Sequence, residues 1–370
     1  MNRFSGYWRQ GLLGLALSLV AGLVAADQAI NPAVFSALMT AQKAQDKGEF
    51  AAARRTLTEA LKQAGSAKLE LALIQQRLGY LAIAAGQNKQ AIDWLSKALS
   101  HGQLDAKAAR QDRLNLAQLL AADGQYAKAA RLLERERGQG GLSTEQTQLL
   151  VQCYSQSQNY AKAIPLAEQV VQANAAADDV WYQLLVGMHY QQGHYAGAVR
   201  WQKVLLKRHP QSVEQWRQLA GLQSQAGDQR GAAATLRLAH IGGFGLQQSD
   251  LDNLVALQIN AGAPWQAARL LEEIIGQRLL SNNPARQERL AQLWTQARDR
   301  NRARAAWASL ATDSGRSDHW LRLAGLQLEE GDWPELLSTL KRAQSGASNQ
   351  QRQLIRQWEG YARSAIENNS

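Results

Sequence analysis

Six histidines are the side chains best suited here to ligate a metal or carry a proton near neutral pH: His101, His189, His194, His209, His240 and His319. A helical metal pair needs two of them four residues apart, so that both reach one ion from one face, and no two are so spaced. His194 falls in a turn and His209 precedes Pro210, which reads as surface for both. Carboxylate pairs could do acid–base work, but Glu272 with Glu273 and Glu329 with Glu330 sit beside turns or on helix surfaces, where a solvated face is their ordinary role. Neither GxSxG nor GxxxxGK[ST] occurs. Gly242-Gly243-Phe244-Gly245 imitates a phosphate loop in composition only, because a helical stretch rather than a strand precedes it. The lone cysteine, Cys153, lies on an apolar stripe with Val151 and Tyr154 and reads as core. No residues here propose catalysis, a metal or a cofactor, and the chain is expected not to be an enzyme.

One charge cluster is conspicuous. Arg298, Arg300, Arg302 and Arg304 surround a single turn, with Arg286 and Arg289 in the helix before it. Two readings stand: a solvated turn whose cations favour a helix C-terminus, or a docking site for acidic groups, since guanidinium forks match carboxylates.

The elements that hold these residues are set by small side chains at fixed distances from large ones. In "WRQLAGLQSQAGDQRGAAATLRLA" (216–239), Leu219, Ala220, Gly227, Ala232, Leu236 and Ala239 match Leu78, Gly79, Gly86, Ala91, Leu95 and Ala98 one for one, and Leu116, Ala117, Gly124, Ala129 and Leu133 repeat them again. The turn residue recurs at Gly48, Gly86, Gly124, Gln158, Gly193, Gly227, Gly262, Arg298 and Gly331, every 33 to 38 residues. An internal repeat of that period is the mark of a solenoid. With six prolines and abundant Ala, Leu and Gln, every segment suits helix and none reads as strand. Each small residue then marks a helix crossing, where a larger side chain would overpack. Gln158 and Arg298 replace Gly, so those two turns are expected to differ in shape. The Gly-rich stretches 138–143 and 241–245 lengthen two connections, as loops or mild hinges.

The pattern resembles the tetratricopeptide repeat family, with its W-x2-L-G-x2-Y…A-x3-F…P signature. Trp216, Leu219, Ala220, Ala232, Leu236 and Ala239 carry it in one copy, and Trp320, Leu323, Ala324, Gly331, Asp332 and Ala343 in another. The resemblance implies an all-α, right-handed superhelical solenoid of about nine helix-turn-helix repeats over residues 27–348. Residues 349–370 would form a capping helix and tail, closing the last apolar face. In that family the inner surface is lined by set positions of each first helix. Here these hold Gln76, Tyr80, Gln118, Gln148, Gln152, Gln183, Tyr190, Arg217, Ser224, Asp252, Glu288, Gln292 and Thr295, a lining suited to extended peptide or a polar protein surface. The Lys and Asn set with which some members clamp a C-terminal carboxylate is missing. The run from Trp181 to Ile275 further resembles exported members associated with TonB-type energy transduction. This implies an accessory to a TonB, ExbB and ExbD complex, with an envelope-assembly adaptor as the alternative and a wall-modifying enzyme least supported.

The N-terminus places Arg3 and Arg9 before an apolar run from Gly11 to Val24, and Val24-Ala25-Ala26 offers small residues for cleavage. That is the grammar of a secretory signal over residues 1–26, with cleavage near Ala26 and a periplasmic product; an uncleaved anchor is the other reading. The formal net charge of +10 favours acidic proteins or charged envelope polymers, and export argues against nucleic acid. One cysteine allows no internal disulfide, so packing alone must hold the fold.

Overall fold

The computed structural model describes residues 30–174 and 176–368. The expected signal segment, 1–26, lies outside the described residues. Nineteen α-helices account for the regular structure there, without a strand, so the architecture is all-α and repetitive. The chain divides into two compact units, Met1–Gln192 and Gly193–Ser370. The first holds α1 (Pro32–Asp46), α2 (Phe50–Gln63), α3 (Lys68–Ala84), α4 (Asn88–Ser100), α5 (Ala106–Ala122), α6 (Tyr126–Gly140), α7 (Thr144–Gln156), α8 (Tyr160–Ala173) and α9 (Asp179–Gln191). The second holds α10 (Tyr195–Arg208), α11 (Val213–Gln225), α12 (Gln229–Ile241), α13 (Gln248–Asn260), α14 (Pro264–Gly276), α15 (Pro284–Gln296), α16 (Arg300–Ser314), α17 (Ser317–Glu330), α18 (Trp333–Ala343) and α19 (Asn349–Glu367). Odd-numbered helices through α17 are the first of each repeat and even-numbered ones the second, and α19 packs on α17 and α18.

The hairpin turns within each unit are built the same way. The backbone N–H five residues on from a late-helix carbonyl folds back to it, as in Gln87 to Ala82 (2.8 Å), Gln125 to Leu120 (2.8 Å) and Asp228 to Gln223 (2.9 Å). That closure requires one residue in the left-handed region, which glycine enters without a Cβ clash. Gly86 does so at φ +71° and Gly227 at +82°. The expectation of different turns at Gln158 and Arg298 is corrected: they adopt φ +58° and +57°, with the same bonds from Asn159 to Tyr154 and Asp299 to Trp294. The fold holds the turn and the residue absorbs the strain. The stretch 138–143 is likewise not all loop, since α6 runs through Gly138 to Gly140 before Gly141 breaks it.

Small residues sit where helices cross. Ala91, Ala98, Ala117, Ala129, Ala232 and Ala239 are fully buried. At Gly79 a Cβ would stand 2.8 Å from Leu95 Cγ, so α3 and α4 approach closely because that side chain is missing. In the second unit the core runs from Ala220 to Ala362 and includes the buried Trp294 and Trp307. Cys153 is buried too, and burial pushes its thiol up to about 12, so it stays a packed, protonated side chain. No described helix is long and apolar enough to cross a membrane.

Candidate interaction surface

The first helices carry the residues expected to face a partner, and many of them instead face each other. In the first unit Gln76 Nε2 donates to Asp112 Oδ2 (2.6 Å) and the Tyr80 hydroxyl donates to Asp112 Oδ1, joining α3 to α5. Asn115 in turn donates to the Tyr80 oxygen at 3.1 Å. Asp112 has no exposed surface. Burial raises its carboxyl above the ordinary range, against the pull of the Tyr80 and Gln76 hydrogen bonds. Burial and the Asp112 carboxylate also push the Tyr80 phenol up. One repeat earlier, Arg77 of α3 donates to Gln42 of α1.

The second unit continues the theme with charge. Arg217 of α11 forks onto Asp250 of α13 (2.9 and 2.6 Å), and Asp252 of α13 takes the fork of Arg286 from α15 (3.2 and 2.7 Å). Glu288 of α15 lies 3.7 Å from the buried His319 of α17 and accepts from Gln292 at 3.2 Å. Second helices take part as well: Arg237 of α12 donates to Glu273 of α14 (2.8 Å), and Arg304 of α16 donates to Glu330 at the end of α17 (2.8 Å) and to Asp332 in the turn that follows (3.0 Å). The Arg237 hydrogen bond holds the Glu273 carboxyl below its ordinary range. The expected solvated role of Glu273 and Glu330 is thereby corrected, because the preceding repeat supplies each with a guanidinium.

Gln76, Tyr80, Arg217 and Glu288 thus have partners within the chain. Gln118 on α5, Gln148 and Gln152 on α7, and Gln183 on α9 are different: among the described residues no hydrogen bond engages their amides, and the first three are half-buried. α5 and α7 pack side by side. Gln148 also lines a groove of about 790 Å³ with Thr147, Val170 and Trp181. Tyr190 and Gln292 are exposed.

The arginine cluster divides in the same way. Arg304 is forked onto Glu330 and Asp332, while Arg302 lies 4.6 Å from the Trp294 ring centroid and 3.8 Å from Asp299. Arg298 and Arg300 remain exposed. The four do not form one docking fork, because the adjoining helix ends neutralise half of them.

Asp112, Asp250 and Glu273 were not anticipated as partners. Their signal was present: Gln76 and Asp112, Arg217 and Asp250, and Arg237 and Glu273 stand 36, 33 and 36 residues apart, one repeat in each case. Among the described residues no group of His, Cys, Asp and Glu is arranged to hold a metal ion.

Structure and site together define an all-α helical-repeat protein with a polar first-helix face. A family model for the tetratricopeptide repeat matches residues 154–222, which supports membership of that repeat family. No curated protein has a sequence that matches this chain. Solved structures similar to it include a tetratricopeptide repeat protein from Parabacteroides merdae, at 17% identity over 71% of this chain and 99% of that one, with a TM-score of 0.36. The MamA AMB-1 structure is 23% identical over 46% and 97%, with a TM-score of 0.35. The P58(IPK) TPR domain is 16% identical over 91% and 99%, with a TM-score of 0.27. At such scores these overlays say nothing about partner or function.

Proposed function

We propose that the chain is a non-enzymatic scaffold that holds protein partners, working in the periplasm as an accessory to a TonB-ExbB-ExbD-type complex. The observation that carries the scaffold reading is the set of half-buried, unengaged amides of Gln118, Gln148 and Gln152 on the adjacent helices α5 and α7. A half-buried amide without a protein partner gains from one that supplies both a donor and an acceptor, and extended backbone offers the two in alternation. In the second unit Arg217 with Asp250, and Arg286 with Asp252, have spent that capacity on each other. The leader-like N-terminus supports the envelope location, and the resemblance of the central repeats supports the complex.

Photocrosslinking in intact cells from position 148 tests the reading. Adducts with TonB, ExbB or ExbD components are expected. Adducts confined to wall-synthesis or outer-membrane biogenesis factors would replace the complex by an envelope-assembly role. No protein adduct at all would remove the scaffold reading.

A further inference from the structure

Second helices present an outward stripe, and its last two positions fall eleven and fourteen residues after the turn residue. They hold Glu59 and Lys62 in α2, Lys97 and Ser100 in α4, and Ser309 and Thr312 in α16, all exposed. In α12 the same two positions hold Leu238 and Ile241, 58% and 68% exposed. In α10 the first of them is Val204 and the second Lys207. Both helices pack on α11, so the aliphatic positions belong to neighbouring second helices of one unit. Neither α10 nor α12 contains an aspartate or glutamate, and Lys203, Lys207 and Arg230 on them are exposed.

We propose that this face of α10 and α12 docks on an anionic lipid surface. Leu238 and Ile241 stand exposed on α12 with Arg230 on the same stripe, half-buried Val204 adjoins the exposed Lys203 on α10, and neither helix carries an acid. Protruding aliphatic side chains flanked by cations suit a headgroup layer, which deforms around them. An anionic leaflet also supplies the negative charge that Lys203, Lys207 and Arg230 lack on their own helices. The inference concerns a face other than the glutamine-bearing first helices and is independent of what they bind.

The test uses the full chain as cells deliver it, mixed with phosphatidylglycerol–phosphatidylethanolamine vesicles or with phosphatidylcholine vesicles. A polarity-sensitive dye on Ala234→Cys, an exposed site on the same stripe, reports the face locally, and the buried Cys153 stays unlabelled. A blue shift and co-sedimentation are expected with the anionic vesicles alone. Both should weaken with added salt and fall roughly tenfold or more in Leu238→Ser/Ile241→Ser, with the melting temperature unchanged. Lys203→Gln/Lys207→Gln should fall less far. Sedimentation without a dye shift would place membrane contact elsewhere in the chain and overturn the proposal. Self-association without vesicles, lost in the serine double variant, would assign the patch to a second copy and overturn it as well.

Discussion

At the scale of single residues, strain and buried charge are readable as numbers. Arg298 and Gln158 occupy left-handed backbone that glycine fills at most equivalent turns. Relieving the clash outweighs the added freedom of the unfolded chain, so Arg298→Gly should raise stability by about 0.5–1 kcal/mol in chemical denaturation, with Gln158→Gly similar. Asp112 behaves in the opposite sense to a paired carboxylate. Its folded carboxyl is raised above the unfolded value, so its contribution is present at acid pH and is lost as pH rises through the folded value. Asp112→Asn should therefore melt higher than wild type at neutral pH, and the gap should close on acidification into the carboxylate range. Asparagine keeps an acceptor for the Tyr80 hydroxyl, and the Gln76 amide can turn to accept from its Nδ2. A gap that stays constant with pH would show that Asp112 is not the titrating group.

At the scale of helices, two kinds of contact hold repeats together. One is the small-residue crossing, and the other is the polar bridge within a repeat or to the next. Glu136 of α6 is 1% exposed and is met by Arg113 and Arg110 of α5. Removing Arg113 would leave a buried carboxylate with only the more distant, half-exposed Arg110. Arg113→Ala should destabilise by about 3–5 kcal/mol, whereas Arg113→Ala with Glu136→Leu should recover most of it; both are read from urea midpoints. The crossings were legible in the sequence because a crossing demands a small residue at one position, and Gly79, Ala117, Ala220 and Ala232 show it without knowledge of their neighbours. The bridges were not, because each needs two positions a repeat apart to be read together. Tyr80 and Arg217 look like free anchors until Asp112 and Asp250 are placed opposite them. The turn at Arg298 departs from the expectation set by residue preference for a related reason: the phase of the repeat and the tertiary fold outweigh that preference.

At the scale of the whole molecule, the account rests on where polar side chains are spent and where they are left over. The second unit uses Arg217, Asp252 and Glu288 to tie its first helices together. The first unit leaves Gln118, Gln148 and Gln152 without partners. Gln118→Ala/Gln148→Ala/Gln152→Ala breaks no hydrogen bond within the chain and removes only half-buried side chains, so its melting temperature should stay within a few degrees of wild type, as changes of about 0.5 kcal/mol each do. The measurement that bears most directly on the scaffold claim is capture of the TonB-type complex by this triple variant, quantified beside wild type under the same expression. A loss of capture of about tenfold or more with an unchanged melt is the predicted result. Full capture by the triple variant, with its fold intact, would contradict the account.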